Sequence, residues 1–376
     1  MDSVCSAKFH RRVCCFVLYF LAAAASYNGF YQRWHFHEAG VAGAWSEKEL
    51  GLDKALDSTA PRPYVYRQLL PAIANGVDAI LPPAMKDAAI QQKLRSQQNP
   101  FTPPLIQSPL TANGLYLLRY YVVYLTDFLF ALLAVFAMHG VCRSFGFSPV
   151  AAAFAPVAMI LLFPCFLNLA GYYYDYPELA FFALTLWMAR RYNWLWLLPV
   201  AALATWNKES FLFFVPTLYP IFRTRSGRWS ALAGTASMTA VCAAVYGMVR
   251  SRYMGNAGGA VEVHWHEQLA LLMHPLSLVV RVDDIYGIYM LSCCSLLPLA
   301  LICWTVRRGW KRFSPELKRH AQIAAAINLP LFFFLCAPRE MRDLSMLYMV
   351  LLLSVAAAIE GTFPNNNSRV LRCAAE

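Results

Sequence analysis

Apolar residues run along this chain in blocks near the roughly 20 residues a helix needs to cross a bilayer, with polar residues collected in the gaps. The first block, Val13 to Phe30, follows Lys8, Arg11 and Arg12. It runs into Tyr27, Tyr31 and Trp34, an aromatic set suited to a headgroup layer, and so predicts an uncleaved first span. Further spans are expected over Leu115 to His139, Phe147 to Leu169, the segment that follows the Tyr172 to Glu178 turn and ends at Arg190-Arg191, Trp229 to Val249, Ile285 to Val306, Ala321 to Ala337 and Leu344 to Ala358. Trp194 to Trp206 and Phe211 to Phe222 are short and flank Asn207-Lys208-Glu209-Ser210, which predicts two tilted crossings or one broken hairpin. The total is about ten transmembrane helices if both cross.

The long interval from Gln32 to Asn113 lacks a convincing span. It carries candidate surface helices over Trp45 to Leu56, Gln68 to Ile80 and Met85 to Leu94, with Pro82-Pro83 as a break. The expected architecture is therefore an all-α polytopic membrane protein. Residues 1–376 form one integral membrane domain, and residues 32–114 within it form a large helical first extracytoplasmic loop.

Composition narrows the class. Of 376 residues 59% are hydrophobic and 14% charged, too little polar surface for a water-soluble chain of this size. The formal charge of +11 is spread over short connections, so it reads as an orientation signal and gives no basic groove for nucleic acid. With the N-terminus inside, Arg143, Arg190, Arg191, Arg223, Arg225, Arg228 and the run from Arg307 to Arg319 all fall on the inner face. Both termini are then cytoplasmic. Eleven cysteines include no CxxC spacing, which gives no metal or redox motif.

The opposite face gathers the candidate chemistry. Glu38 follows His35-Phe36-His37 just after the first span and could act as a general base, although a loop carboxylate without chemistry is the commoner case. Arg67 precedes an apolar helix, where it can snorkel or clamp a phosphate. Asp175 and Glu178 are three residues apart beside Tyr172, Tyr173, Tyr174 and Tyr176. That spacing places both on one face of a helix start, suited to a hydroxylated substrate or a divalent ion. Lys208 and Glu209 interrupt apolar sequence and must be paired or wet. Arg339 and Arg342, in Pro338-Arg339-Glu340-Met341-Arg342-Asp343, are spaced to hold an anion at a helix start, or to form an interlocked salt-bridge cluster. Asp127 lies inside the second span, where an ionised carboxylate needs a partner or water, and could pair with Lys208 or an arginine or mark a translocation path. No cofactor is certain. A divalent cation such as Mg2+ or Mn2+ is the candidate, with Asp175, Glu178, His35 and His37 as its candidate ligands.

Tyr66-Arg67-Gln68-Leu69-Leu70-Pro71, Tyr174-Asp175-Tyr176-Pro177, Asn207-Lys208-Glu209 and Arg339-Glu340-Met341-Arg342, together with Glu38 in a large first outer loop, resemble the GT-C class of polytopic glycosyltransferases, in particular bacterial mannosyltransferase-like members. The likeness spans roughly residues 13 to 360. It implies transfer of a sugar from a polyprenyl-phosphate-linked donor to an envelope glycan or lipid acceptor outside the bacterial inner membrane. In that scheme Glu38 is the base, Arg67, Lys208, Arg339 and Arg342 hold the donor phosphate, and Asp175 and Glu178 orient the sugar or a cation. The chain departs from the class in lacking the usual aspartate after the first span and a large soluble C-terminal domain. Two other functions fit the same pattern: a lipid or lipid-linked-saccharide transporter, and a non-enzymatic membrane assembly subunit whose outer charges satisfy one another.

Overall fold

The computed structural model describes residues 2–31, 51–96, 114–167, 171–259, 261–274, 276, 279, 282–286 and 288–362. Its helices are α1 (Asp2–Tyr31), α2 (Leu69–Ile80), α3 (Pro83–Ser96), α4 (Gly114–Ser144), α5 (Pro149–Leu162), α6 (Asp175–Arg191), α7 (Leu197–Asn207), α8 (Tyr219–Ser226), α9 (Arg228–Arg252) and α10 (Trp265–Met273). A hairpin of β1 (Val282–Ile285) and β2 (Ile288–Leu291) follows, then α11 (Leu296–Trp310), α12 (Pro315–Leu335) and α13 (Tyr348–Thr362).

Among the described residues five helical segments are long and apolar enough to cross a membrane, namely Arg12–Phe30, Leu115–Ser144, Pro149–Phe166, Arg228–Arg252 and Met341–Thr362. This establishes a multi-spanning membrane protein and corrects the expectation of about ten spans. Each shortfall has a local cause. The 175–191 segment is a helix of 17 residues that opens on buried Asp175 and Glu178. Leu197–Asn207 has only 11 residues and stops where Lys208 turns extended. The stretch expected over Phe211 to Phe222 is cut at Pro216 and Pro220 into a helical turn, a 3-10 turn and the start of α8. Prolines lack the amide that continues a helix, which accounts for both cuts. The segment expected from Ile285 to Val306 begins instead as the hairpin, with Val282 opposite Leu291, and becomes helical only at Leu296. Helix α12 is 21 residues long, but Lys318, Arg319, His320, Gln322 and Asn328 make it too polar to qualify.

Contacts separate two ends of the bundle. At one end Arg190 of α6 reaches Glu316 at 3.4 Å and the Ser144 carbonyl oxygen, while Arg312 donates to the Ala357 carbonyl oxygen at 3.0 Å. At the other end, Arg119 near the start of α4 donates to Asp57 at 3.2 Å and to Asn75 at 3.3 Å. The Arg62 amide donates to Ala257 at 2.8 Å, and Asn256 donates to the Ser58 and Ala60 carbonyl oxygens at 2.9 Å each. These bonds tie the first loop to the connection after α9. Gly258 adopts φ +88°, and a Cβ there would lie 2.5 Å from the Arg62 carbonyl oxygen, so the close approach needs glycine.

The core between the two ends is aromatic. Phe30 of α1 packs on Tyr176 of α6 at 4.6 Å between ring centroids, and Phe163 lies 4.8 Å from Tyr176. Helices α11 and α13 approach closely because Gly309 is bare: a Cβ there would come within 2.7 Å of the Ser354 Cα.

Candidate functional site

Four breaks in the helical chain meet at the second end: the turn before α2, the start of α6, the gap after α7 and the segment before α13. Each break places a charge. Tyr64–Tyr66 forms a 3-10 turn closed by the Arg67 amide, which donates to the Tyr64 carbonyl oxygen at 3.3 Å, and the Gln68 amide donates to the Trp206 carbonyl oxygen at 3.2 Å. Arg67 is thereby fixed against α7. The Tyr172 amide donates to Asp175 Oδ2 at 2.8 Å, so Asp175 caps the turn that starts α6, and Glu178 follows in the first helical turn. Carboxylates there gain from the positive end of the helix dipole. Asn207 donates through Nδ2 to the Tyr174 carbonyl oxygen at 2.9 Å, which locks the end of α7 to the start of α6.

The charges then pair. Arg67 Nη2 donates to Glu209 Oε1 at 3.1 Å, and Nη1 donates to the Tyr174 hydroxyl. Lys208 Nζ bridges Glu178 Oε2 at 2.8 Å and Asp343 Oδ1 at 3.0 Å. Ser210 and Ser345 donate to Glu178 Oε1 at 2.6 and 2.9 Å. Arg342 Nη1 donates to Asp175 Oδ2 at 3.2 Å, while its Nε and Nη2 donate to Glu340. Asn328 of α12 steadies the last segment, donating to the Asp343 carbonyl oxygen at 2.8 Å and accepting from the Met346 amide at 3.2 Å.

Rings line the same place. Tyr64 stacks on Tyr172 at 6.1 Å and Tyr172 on Tyr174 at 5.1 Å. The Arg67 guanidinium lies 4.3 Å from the Tyr174 centroid and that of Arg342 lies 4.3 Å from Tyr172, so each cation is held by a π face as well as a carboxylate. Tyr172, Tyr173, Tyr174 and Tyr176 are all buried.

Protonation follows from this arrangement. Burial pushes the Glu178 carboxyl above its usual range despite Lys208 and Ser210. Burial alone would also raise Glu209, but the Arg67 guanidinium outweighs it and holds Glu209 below the ordinary value. Desolvation opposes the charge on Lys208, yet Glu178 and Asp343 keep the ammonium above its usual range. Burial raises Glu340 against the pull of Arg342. The pairs involve three cations, Arg67, Lys208 and Arg342, and five carboxylates, Asp175, Glu178, Glu209, Glu340 and Asp343. A formal excess of negative charge in a mostly dry site is costly, which agrees with the upward direction at Glu178 and Glu340.

Six of the residues singled out from sequence therefore come together: Arg67, Asp175, Glu178, Lys208, Glu209 and Arg342. Arg339 stands beside them at φ +70°, a backbone conformation that favours glycine, and its carbonyl oxygen accepts from the Cys294 thiol at 3.1 Å. Glu38, His35 and His37 lie outside the described residues. Asp175 and Glu178 do share the first turn of one helix, but each answers a different cation, and among the described residues no group of three His, Cys, Asp or Glu side chains could hold a metal ion. The described residues thus do not fit a divalent cation. Asp127 is not the partner of Lys208, whose bonds go to Glu178 and Asp343.

Sequence reasoning passed over Ser345 and Asn328, and it placed Glu340 and Asp343 only in the salt-bridge alternative for 338–343. Asn328 carried a readable signal, a lone amide within the apolar half of α12. Ser345 carried none. No protein-family model, curated protein or solved structure matches this chain.

Proposed function

We propose that this protein is a membrane glycosyltransferase that moves a sugar from a polyprenyl-phosphate-linked donor to an acceptor at the face bearing the ion cluster. The carrying observation is that breaks 67, 175–178, 208–210 and 340–343 meet in one cluster whose edge still reaches solvent. Side-chain exposure is 27% at Glu209, 18% at Asp343 and 13% at Glu340, against 2% at Asp175 and 5% at Glu178. Carboxylates, guanidinium groups and stacked tyrosine faces together suit a polyhydroxylated ring, with hydroxyls for the open carboxylates and C–H faces for the rings. They suit a phosphate less, because every cation in the cluster already has a carboxylate.

In the transfer, an acceptor hydroxyl oxygen bonds to the anomeric carbon, the bond from that carbon to the phosphate oxygen breaks, and the phosphate leaves with the electron pair. The acceptor proton passes to a carboxylate, for which Glu38 is the sequence candidate. Arg339, beside the cluster, is the candidate for the departing phosphate. The exposed arginines at the opposite end support a cytoplasmic location for that end, in a bacterial inner membrane.

A second reading is a non-enzymatic assembly subunit, which the mutual pairing of Arg67, Lys208 and Arg342 favours. One experiment separates them: the reconstituted full chain is offered a panel of polyprenyl-phosphate sugars, with Glu209→Gln and Glu38→Gln as controls. Transfer by the wild type that falls about tenfold or more in Glu209→Gln supports the enzyme. No transfer across the panel from folded protein leaves the assembly role.

A further inference from the structure

One carboxyl group inside a span has, among the described residues, no cation to answer its charge. Asp127 of α4 is fully buried, and neither Oδ1 nor Oδ2 has a hydrogen-bond partner. The groups that bear on it are Tyr27 from α1, Tyr124 on α4 itself, and Asp175 and Tyr176 from α6. Tyr27 lies 5.0 Å from Tyr124 and 5.6 Å from Tyr176 between centroids, so the carboxyl sits in a shell of rings. Among the described residues the other helices packed on α4, namely α2, α3, α5, α13 and the short helix Leu52–Leu56 with Asp53 and Lys54, set no charge against it. The nearby cations are committed elsewhere, Arg342 to Asp175 and Glu340, and Lys208 to Glu178 and Asp343.

The hydroxyl protons are committed too. Tyr27 donates to the Tyr124 carbonyl oxygen at 2.9 Å, and the Tyr176 hydroxyl lies 2.7 Å from Ser26 Oγ. An ionised carboxylate only accepts hydrogen bonds, and among the described residues the donor that bears on it is the Tyr27 hydroxyl, whose proton already goes to the Tyr124 carbonyl oxygen. A neutral carboxylic acid carries its own O–H, which can go to the Tyr27 oxygen, whose lone pairs are not used in the bond to Tyr124. An unanswered anion at this depth is one of the costliest groups a bundle can hold, and an intramembrane carboxyl is therefore read first as functional.

We propose that Asp127 is a proton-binding site in the membrane interior, held as a neutral acid beside the Tyr27 hydroxyl. The site takes a proton and no larger ligand, and it stands whether or not the cluster transfers sugar.

The test uses the full chain in lipid nanodiscs at neutral pH. In the infrared difference between wild type and Asp127→Asn, the expected loss is a protonated-carboxyl C=O band. Loss of an ionised-carboxylate pair instead overturns the proposal. Should the variant fail to fold, wild type treated with dicyclohexylcarbodiimide decides. The acid proton goes to a carbodiimide nitrogen, the carboxyl oxygen adds to the central carbon, and the acyl group then migrates to nitrogen with nothing leaving. A carbodiimide adduct mapped to Asp127 by peptide mass spectrometry supports the neutral acid. Adducts on other carboxyls but none on Asp127 overturn it.

Discussion

The two ends of the bundle carry charge in opposite ways. At the end where α4 and α6 finish, Arg143, Arg191, Arg225, Arg307, Arg308 and Lys311 are exposed and few carboxylates stand nearby. At the end where α6 starts, Arg67, Lys208 and Arg342 are enclosed and each is matched by carboxylates. Exposed charges cost little and carry orientation, whereas enclosed ones must be matched atom by atom and therefore fix the geometry of the segments that bear them. The difference teaches that residue type alone does not separate a topology signal from a site. What separates them is whether a second chain break supplies the partner.

The contrast is broken most severely by Lys208→Met, which leaves Glu178 and Asp343 facing each other in a dry site. A destabilisation of about 3–5 kcal/mol is expected, read as lost thermal stability of the detergent-solubilised protein. Asn328→Ala strips the Asp343 carbonyl and the Met346 amide of their partner, and about 1–3 kcal/mol should be lost in the same assay. Arg67→Lys keeps the charge but loses the fork that engages Glu209 and Tyr174 together, with an expected cost of about 1–2 kcal/mol.

Acid sharpens the comparison without mutation. Because Glu209 has a depressed folded value, its contribution is complete above the unfolded carboxylate range and is lost as pH falls through the lower folded value. Glu178 has the opposite sign, since its raised value means the folded state holds a proton more readily, and that contribution fades as pH rises through it. Thermal melts across an acid series should therefore show Glu209→Gln losing less stability on acidification than wild type. An unchanged acid limb would mean that the Arg67–Glu209 pair is not formed. At the exposed end, Arg190→Ala removes the pair with Glu316 at 3.4 Å and should cost no more than about 1 kcal/mol, an effect that salt diminishes.

The membrane class was legible because apolar runs need no tertiary knowledge, and Val13 to Phe30 and Leu115 to His139 fall inside observed spans. The span count was not, because block length hides what breaks a helix. Pro216 and Pro220 shorten one segment, and a hairpin anchored by the Tyr286 hydroxyl to the Leu161 carbonyl oxygen at 2.7 Å replaces the start of another. In the site, Lys208 and Glu209 were visible as charges that apolar neighbours could not satisfy. Their partners were not: Lys208 turns to Glu178 and Asp343, 30 and 135 residues away, while adjacent Glu209 takes Arg67. Adjacent opposite charges invite a self-contained pair on paper, and only the backbone break after α7 sends them to separate neighbours.

Gly309 gives the cluster a remote adjuster. Its hydrogen lets α11 lie against Ser354, and the segment leading into that same last helix carries Arg342 and Asp343. A methyl group added at this seam would meet main chain, which cannot rotate aside, so the last helix must shift as a rod. Its far tip would then draw two charged side chains off their counterparts, and an alanine several turns away could loosen the polar end without touching any residue in it.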